Sequence, residues 1–154
     1  MGYMQQNFNP YKHSIFTPMN KEKYNGKEFP IVRSEWERKV CQWLDANPNV
    51  LLWSSERLSI EYFDPVRQKK RRYYPDFLAK MVTKNGKEIV YLIEVKPLKE
   101  TKSPKVTRRK SEKTLLREQS VYMTNIAKFR AADIYCKRRN WIFKVLTEKE
   151  LFGK

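Results

Sequence analysis

The sequence contains one histidine, two cysteines and no long apolar run. A bilayer-spanning helix needs roughly 20 apolar residues, and a signal peptide needs an apolar segment near the N-terminus, so neither membrane insertion nor secretion is expected. The lone His13 excludes catalytic centres and metal sites that depend on several histidines. Cys41 and Cys136 both fall in predicted helices, so we expect them to be reduced and to serve as small core residues.

Positive charge is abundant. Among 154 residues, 33 are Lys or Arg and 17 are Asp or Glu, which gives a formal net charge of +16 and predicts an anionic partner. Hydrophobic residues make up 40% of the chain and include 8 Phe, 9 Tyr and 4 Trp, enough to build a core. The composition therefore predicts one small folded domain with an affinity for nucleic acid or another polyanion.

The chain divides into an arm and a domain. Residues 1–30 show no helical or strand period and are predicted to form an irregular arm, and residues 31–154 are predicted to form one domain. Periodicity, caps and breakers predict the following elements in chain order: a helix at 35–46 capped by Ser34, strands at 50–54, 58–63, 72–82 and 88–96, a basic loop at 98–113, a helix at 112–139, a strand at 141–146 and a terminal turn capped by Thr147. Leu116 and Val121 are among the residues expected in the buried stripe of the long helix.

Asn85-Gly86 is the strongest hairpin signal, and it joins the two strands that carry the candidate chemistry. On the second strand, one face is apolar until it ends in Glu94 and Lys96. A two-residue loop would place Phe77 opposite Glu94 and turn Asp76 away. A three-residue loop over residues 84–86, with Gly86 left-handed, places Asp76 opposite Glu94 and pairs apolar residues with each other. We predict the three-residue loop.

Two opposed carboxylates repel each other unless a cation lies between them. Asp76 and Glu94 offer hard oxygen ligands without histidine or cysteine nearby, which favours Mg²⁺, with Mn²⁺ as the alternative. Lys96 would orient water or offset charge that develops on a phosphorus centre, so phosphodiester hydrolysis is the natural reaction. In the alternative interpretation, the acids form ion pairs with Lys96 or Arg72 at a solvated sheet end, and Lys96 is an ordinary strand-end lysine.

These residues resemble a known superfamily. Pro75-Asp76, followed after seventeen residues by Glu94-Val95-Lys96, is similar to the PD-(D/E)xK signature of restriction-type endonucleases, and the αβββαβ order is similar to their common core. The resemblance implies an α/β fold with a central mixed sheet flanked by helices. Tyr74-Pro75-Asp76-Phe77 and Ile93-Glu94-Val95-Lys96-Pro97 also resemble the TnsA-type transposon endonucleases. Chain length and motif order resemble the head-completion nucleases of T4-like tailed phages.

The resemblance implies further roles. Glu37 is similar to the helix-borne glutamate that completes the metal site in many members, while from its position alone it is a capping glutamate that bonds back to the start of its helix. The same resemblance implies a metal-dependent DNA endonuclease that acts after DNA packaging and before head-tail joining. Such a protein would meet portal, neck or head proteins in the host cytoplasm during assembly, or in the virion. The alternative is a non-catalytic structural protein that binds DNA and the portal, and a third class is an RNA-directed or repair nuclease.

Basic clusters flank the predicted metal site on both sides in the sequence. Although charge runs are often solvated faces, these runs favour contacts with the nucleic-acid backbone and no base-reading module is evident. On the long helix, Asn125 and Lys128 either present a polar edge to the site or belong to the core. The predicted nucleic-acid contacts are Arg67, Lys69, Lys70, Arg71, Arg72, Lys99, Lys102, Lys105, Arg108, Arg109, Lys110, Asn125 and Lys128.

Overall fold

The computed structural model describes residues 13–153, which form a mixed α/β fold. The strands are β1 (Ser14–Ile15), β2 (Ile31–Val32), β3 (Val50–Ser55), β4 (Ile60–Asp64), β5 (Lys69–Tyr73), β6 (Phe77–Val82), β7 (Glu88–Val95) and β8 (Ile142–Leu146). The α-helices are α1 (Glu35–Ala46), α2 (Glu112–Arg138) and α3 (Glu148–Phe152), and single 3₁₀ turns occur at Lys21–Lys23 and Leu98–Thr101. No helix among residues 13–153 is both long enough and apolar enough to cross a bilayer.

A four-stranded sheet in the order β3-β6-β7-β8 forms the centre of the fold. Its pairs are antiparallel except β7 with β8, which are parallel and joined through α2. One face packs on α1 through Val40, Cys41 and Leu44, and the other packs on α2 through Ala132 and Cys136. The predicted central mixed sheet flanked by helices is therefore confirmed, as are the two buried thiols.

The predicted strand at 72–82 is wrong in its extent. Residue 73 ends β5, which pairs with β4 in a separate two-stranded hairpin with Tyr73 opposite Ile60, and the main-sheet strand β6 begins only at Phe77. Pro75 lies between them and has no backbone N–H to donate, so a continuous ladder is interrupted there. This break sends the basic residues of β5 away from the central sheet.

Residues 13–30 pack on the domain instead of being irregular throughout. β1 pairs with β2, Phe16 is buried in the core, and the Tyr24 ring packs edge-on against Trp53 with ring centroids 4.9 Å apart. The buried Asp45 carboxylate accepts the N–H groups of residues 19 and 20 at 2.9 and 3.0 Å. The first twelve residues of the predicted arm lie outside the described residues.

The long helix α2 agrees with its predicted bounds but buries less of its apolar surface than expected. Leu116 and Val121 are exposed, contrary to the prediction. A helix of 27 residues is about 40 Å long, whereas a five-residue strand spans about 17 Å, so the N-terminal half of α2 extends beyond the sheet. The N-terminal half of α2 lies near the end of β7, because Asn125 donates to the carbonyl oxygen of Glu100 and lines a cleft together with Lys96.

Candidate active site at the ends of β6 and β7

The register of the β6–β7 hairpin brings the two predicted carboxylates together. Phe77 pairs with Ile93, and this register continues to place Asp76 opposite Glu94. At the other end, Thr83 donates its N–H to the carbonyl oxygen of Lys87 at 2.8 Å, and Gly86 has a φ of +80°. The loop therefore contains three residues with a left-handed glycine, as predicted, and the basis for a shared carboxylate site holds.

Both carboxylates are withdrawn from water and held by hydrogen bonds. Glu94 is 5% exposed, and its Oε1 accepts the phenolic O–H of Tyr73 at 2.7 Å. Asp76 is partly buried, and its Oδ2 accepts the N–H of Val95 at 2.8 Å. These contacts hold the two side chains on the α2 face of the sheet. The sheet end is therefore not solvated at Glu94, although the ion pair between Glu94 and Lys96 that the alternative expects is present.

Burial and mutual repulsion destabilise the charged form of this pair. Burial, followed by the nearby negative charge of Glu94, raises the pKa of Asp76 well above its usual range, against the opposing effect of the Val95 N–H. Burial also raises the pKa of Glu94, although the Tyr73 hydroxyl and the ammonium of Lys96 act in the opposite direction. A cation placed between the two carboxylates would relieve this penalty.

Lys96 lies on the same face of β7 as Glu94. Its Nζ is 3.7 Å from Glu94 Oε2, and its side chain is only 25% exposed. This half-buried position points the ammonium toward α2, where Lys128 stacks above the rings of Tyr62 and Tyr73 at 5.9 and 5.5 Å from their centroids. Lys96 therefore lies next to Glu94 and also faces the space in front of α2.

Glu37 lies on α1, which packs on the opposite face of the sheet. Its Oε1 accepts the N–H of Arg33 at 2.8 Å, and its own N–H donates to Ser34 Oγ at 3.1 Å. Glu37 therefore caps α1 in a modified way, because its carboxylate accepts the N–H of Arg33, the residue before the N-cap Ser34. Its negative charge also raises the pKa of Asp76, by less than burial and the charge of Glu94 do. Its role as a metal ligand stays a prediction.

The donor set fits a hard divalent cation, although it is not preassembled. Among residues 13–153, no three His, Cys, Asp or Glu side chains lie close enough together to hold a metal ion. Asp76 and Glu94 nevertheless supply two buried oxygen donors whose repulsion a cation would offset. The pair could hold the ion, and a third ligand requires movement of Glu37 or water in that position.

The structure separates the predicted nucleic-acid contacts into groups. Arg67, Arg71, Asn125 and Lys128 line one cleft together with Lys96. On β5, alternation puts Lys70 and Arg72 on the other face of the hairpin. Lys110 is engaged internally, since its Nζ is 2.7 Å from Glu118 Oε1 and 2.7 Å from the carbonyl oxygen of Lys105. Between β7 and α2, the exposed basic side chains are those of Lys99, Lys102, Lys105, Arg108 and Arg109.

Sequence reasoning missed several residues around the site. Tyr73, which anchors Glu94, could have been noticed as the residue three positions before Asp76 on the predicted strand. Arg117 and Thr124 line the cleft on α2, and their signal was the spacing of positions 117, 121, 124 and 128 along one helical face. Asp64, whose carboxylate holds two cleft arginines, had no signal beyond its place before Pro65.

Comparison with known proteins agrees with this geometry. Residues 47–148 match the family model described as the TnsA-like endonuclease N terminal domain. The match begins after α1 and therefore does not include Glu37. The chain is also 36% identical over 140 residues to the head completion nuclease of Enterobacteria phage T4, an alignment that covers 88% of this chain and 91% of that protein. The mixed sheet, the carboxylate pair and these matches together show that the chain belongs to the TnsA-like endonuclease family.

Proposed function

We propose that this protein is a divalent-metal-dependent endonuclease that hydrolyses phosphodiester bonds in DNA during phage head completion. The observation that carries the proposal is the placement of Asp76, Glu94 and Lys96 on one face at the end of the β6–β7 hairpin. Membership of an endonuclease family supports cleavage of nucleic acid. The similarity to a head completion nuclease over most of both chains supports the stage of phage assembly at which it acts.

Each side chain has a distinct part in this reaction. Asp76 and Glu94 would hold Mg²⁺, or Mn²⁺ in its place, with Glu37 as a third ligand. When bound, the ion polarises a phosphate oxygen and lowers the pKa of a bound water. Tyr73 keeps Glu94 oriented through its 2.7 Å hydrogen bond. Lys96, held 3.7 Å from Glu94, orients the attacking water and offsets the charge that develops on the phosphate.

The proposed partners follow from charge and from the phage relative. A net charge of +16 favours DNA backbone contacts through the basic residues predicted from the sequence. The name of the relative supports encounters with head proteins, and we propose portal or neck proteins as further partners. Such encounters would take place in the host cytoplasm during assembly, or in the completed virion.

A nicking assay on supercoiled plasmid DNA tests the proposal. We expect Mg²⁺-dependent nicking by the wild type and a loss of at least about 100-fold in Asp76→Ala and Lys96→Ala, because the first removes a proposed metal ligand and the second removes the cation that offsets charge on the phosphate. Glu88→Gln is the matched control, since Glu88 is an exposed acid at the opposite end of β7 whose side chain lies 3.5 Å from Lys80 Nζ. Glu94→Gln should be as inactive as Asp76→Ala, and Glu88→Gln should cleave like the wild type.

The same assay separates the enzyme from a structural DNA-binding protein. Equal nicking by the wild type and by the Asp76 and Lys96 variants would identify a contaminating nuclease and overturn the catalytic proposal. Matched DNA and RNA substrates tested in parallel determine whether the protein distinguishes deoxyribose from ribose. Preferential cleavage of RNA would make RNA, instead of DNA, the proposed substrate.

A further inference from the structure

A polar cleft of about 460 Å³ lies beside the candidate active site, between the β4–β5 hairpin and α2. Arg67 and Arg71 line it from the hairpin side, and Arg117 and Lys128 line it from the helix side. Lys96 also lines the cleft and is therefore shared with the carboxylate pair. The cleft therefore adjoins the candidate active site at Lys96.

The cleft carries an excess of positive charge. Five cationic side chains line it, and the acidic groups paired with them are Glu94, which is next to Lys96, and Asp64, which lies beneath the hairpin. Burial, followed by repulsion from Lys96, lowers the pKa of Lys128. The five cations outnumber these two carboxylates, so an anion that enters the cleft is favoured by the excess positive charge.

Asp64 accepts a hydrogen bond from the Arg67 guanidinium and lies within ion-pair distance of Arg71. Its side chain is fully buried, and its Oδ2 lies 3.1 Å from Arg67 Nη1 and 3.7 Å from Arg71 Nη1. Its Oδ1 accepts the N–H groups of Val66 and Arg67 at 2.9 and 3.1 Å. A guanidinium whose orientation is set in advance loses less conformational freedom when it binds a phosphate.

The remaining lining favours a sugar–phosphate backbone over bases. Ser120 and Thr124 contribute hydroxyl groups from α2, and Val66 and Val121 contribute small apolar surfaces. Hydroxyls and forked guanidinium groups are typical donors to phosphate oxygens, and such contacts do not depend on base sequence. The set lacks the exposed aromatic faces on which single-stranded bases commonly stack, because Tyr62 is buried.

We propose that this cleft binds the DNA backbone on the α2 side of the phosphodiester that is cleaved, with Arg71 and Arg117 as its principal phosphate contacts. This assignment rests on the proposed nuclease function and names the surface that orients its substrate. It also places Asp64 as a positioning residue, which acts on DNA through Arg67 and Arg71.

Binding of a short fluorescent DNA duplex to the full chain, measured in EDTA by anisotropy, tests the cleft apart from cleavage. We expect Arg71→Ala and Arg117→Ala each to weaken binding roughly 10-fold at physiological salt and to reduce the slope of log K against log salt by about 1. Arg130→Ala is the matched control, because Arg130 is an exposed arginine on α2 outside the cleft and its loss should change affinity less than about 2-fold. Thermal unfolding of each variant confirms that it is folded.

The outcomes distinguish the cleft from the proposed nuclease activity. If Arg117→Ala and Arg130→Ala bind DNA equally well, the cleft assignment is wrong, even where the wild type cleaves DNA. If the cleft variants bind weakly but the wild type shows no metal-dependent cleavage, the cleft assignment stands and the nuclease proposal fails. Displacement of DNA by inorganic phosphate at constant ionic strength would indicate a small-anion site instead of a backbone site and would also overturn the assignment.

Discussion

Glu37 is the residue whose two interpretations differ most in their consequences. Its carboxylate caps α1 by accepting the N–H of Arg33, and it is also the proposed third metal ligand. Glu37→Gln keeps an acceptor oxygen for the cap but loses the charge. We expect its free energy of unfolding to change by less than about 0.5 kcal/mol, while cleavage falls at least about 10-fold and half-saturation requires more Mg²⁺.

Ser34→Ala is the complementary variant, because it removes the Ser34 Oγ that accepts the Glu37 N–H and leaves the carboxylate intact. It should lower the free energy of unfolding by about 1 kcal/mol and retain cleavage under conditions where the protein is folded. Urea denaturation and plasmid nicking measure the two effects. Wild-type activity in Glu37→Gln would show that the glutamate serves only as a cap.

Tyr73 provides a second test at the scale of one residue. Tyr73→Phe removes the donor to Glu94 Oε1 without opening a large cavity. Because hydrogen bonds to charged groups contribute about 1.5–3 kcal/mol, we expect a loss of that order in the free energy of unfolding and roughly 10-fold slower nicking. Tyr24→Phe is the control, since that hydroxyl donates to the exposed carbonyl oxygen of Glu28. Unchanged nicking in Tyr73→Phe would show that Glu94 needs no orienting donor.

At the scale of elements, the sequence predicted correctly those helix ends and turns that depend on residues close together in the chain. The helix after Ser34 and the turn after Thr147 follow from their caps, and the left-handed Gly86 follows from the three-residue loop. The β4–β5 hairpin was not predicted as a separate unit. Whether residues 69–73 pair with β4 or continue toward β6 depends on tertiary packing of Tyr62 and Tyr73 against α2, and strand periodicity does not contain that information.

The loop between β4 and β5 depends on the buried Asp64. Burial raises its pKa, but hydrogen bonds from the backbone N–H groups of Arg67 and Val66 and from the Arg67 side chain outweigh burial and lower it. A depressed folded-state pKa means that the stabilisation is present above the unfolded pKa of about 3.9 and is lost as pH falls through the folded value. Asp64→Asn should therefore be less stable than the wild type by about 2 kcal/mol at pH 6, and this difference should shrink as pH falls below about 4.

Urea denaturation of the wild type and of Asp64→Asn, from pH 6 to below about pH 4, measures this difference in the free energy of unfolding. Asp133→Asn is the control, because Asp133 forms an exposed i,i+4 pair with Lys137 at 2.8 Å and should cost less than about 0.5 kcal/mol at any pH. A difference between Asp64→Asn and the wild type that stays constant from pH 6 to acid would show that the carboxylate charge does not hold the loop.

At the scale of the whole molecule, the convergence of the candidate site residues was predictable and the placement of the residues around them was not. Asp76, Glu94 and Lys96 lie within one hairpin, so residue spacing and loop geometry were sufficient to bring them together. Arg117 enters the cleft only because α2 extends beyond the sheet and faces the β4–β5 hairpin. That placement arises from packing between segments far apart in sequence, which a single sequence does not specify.

The net charge of +16 leads to a prediction about salt for the entire protein. If the four cleft cations other than Lys96 each neutralise one phosphate, log K should fall with log salt at a slope of about −4, and affinity should drop about 100-fold between roughly 50 and 200 mM salt. The five exposed cations between β7 and α2 would steepen the slope to about −8 if they also contact DNA. We expect a wild-type slope between these limits, with a return toward about −4 when these five residues are changed to alanine. Anisotropy titrations at several salt concentrations measure the slope, and a wild-type value shallower than about −2 would mean that phosphate contacts do not govern DNA binding.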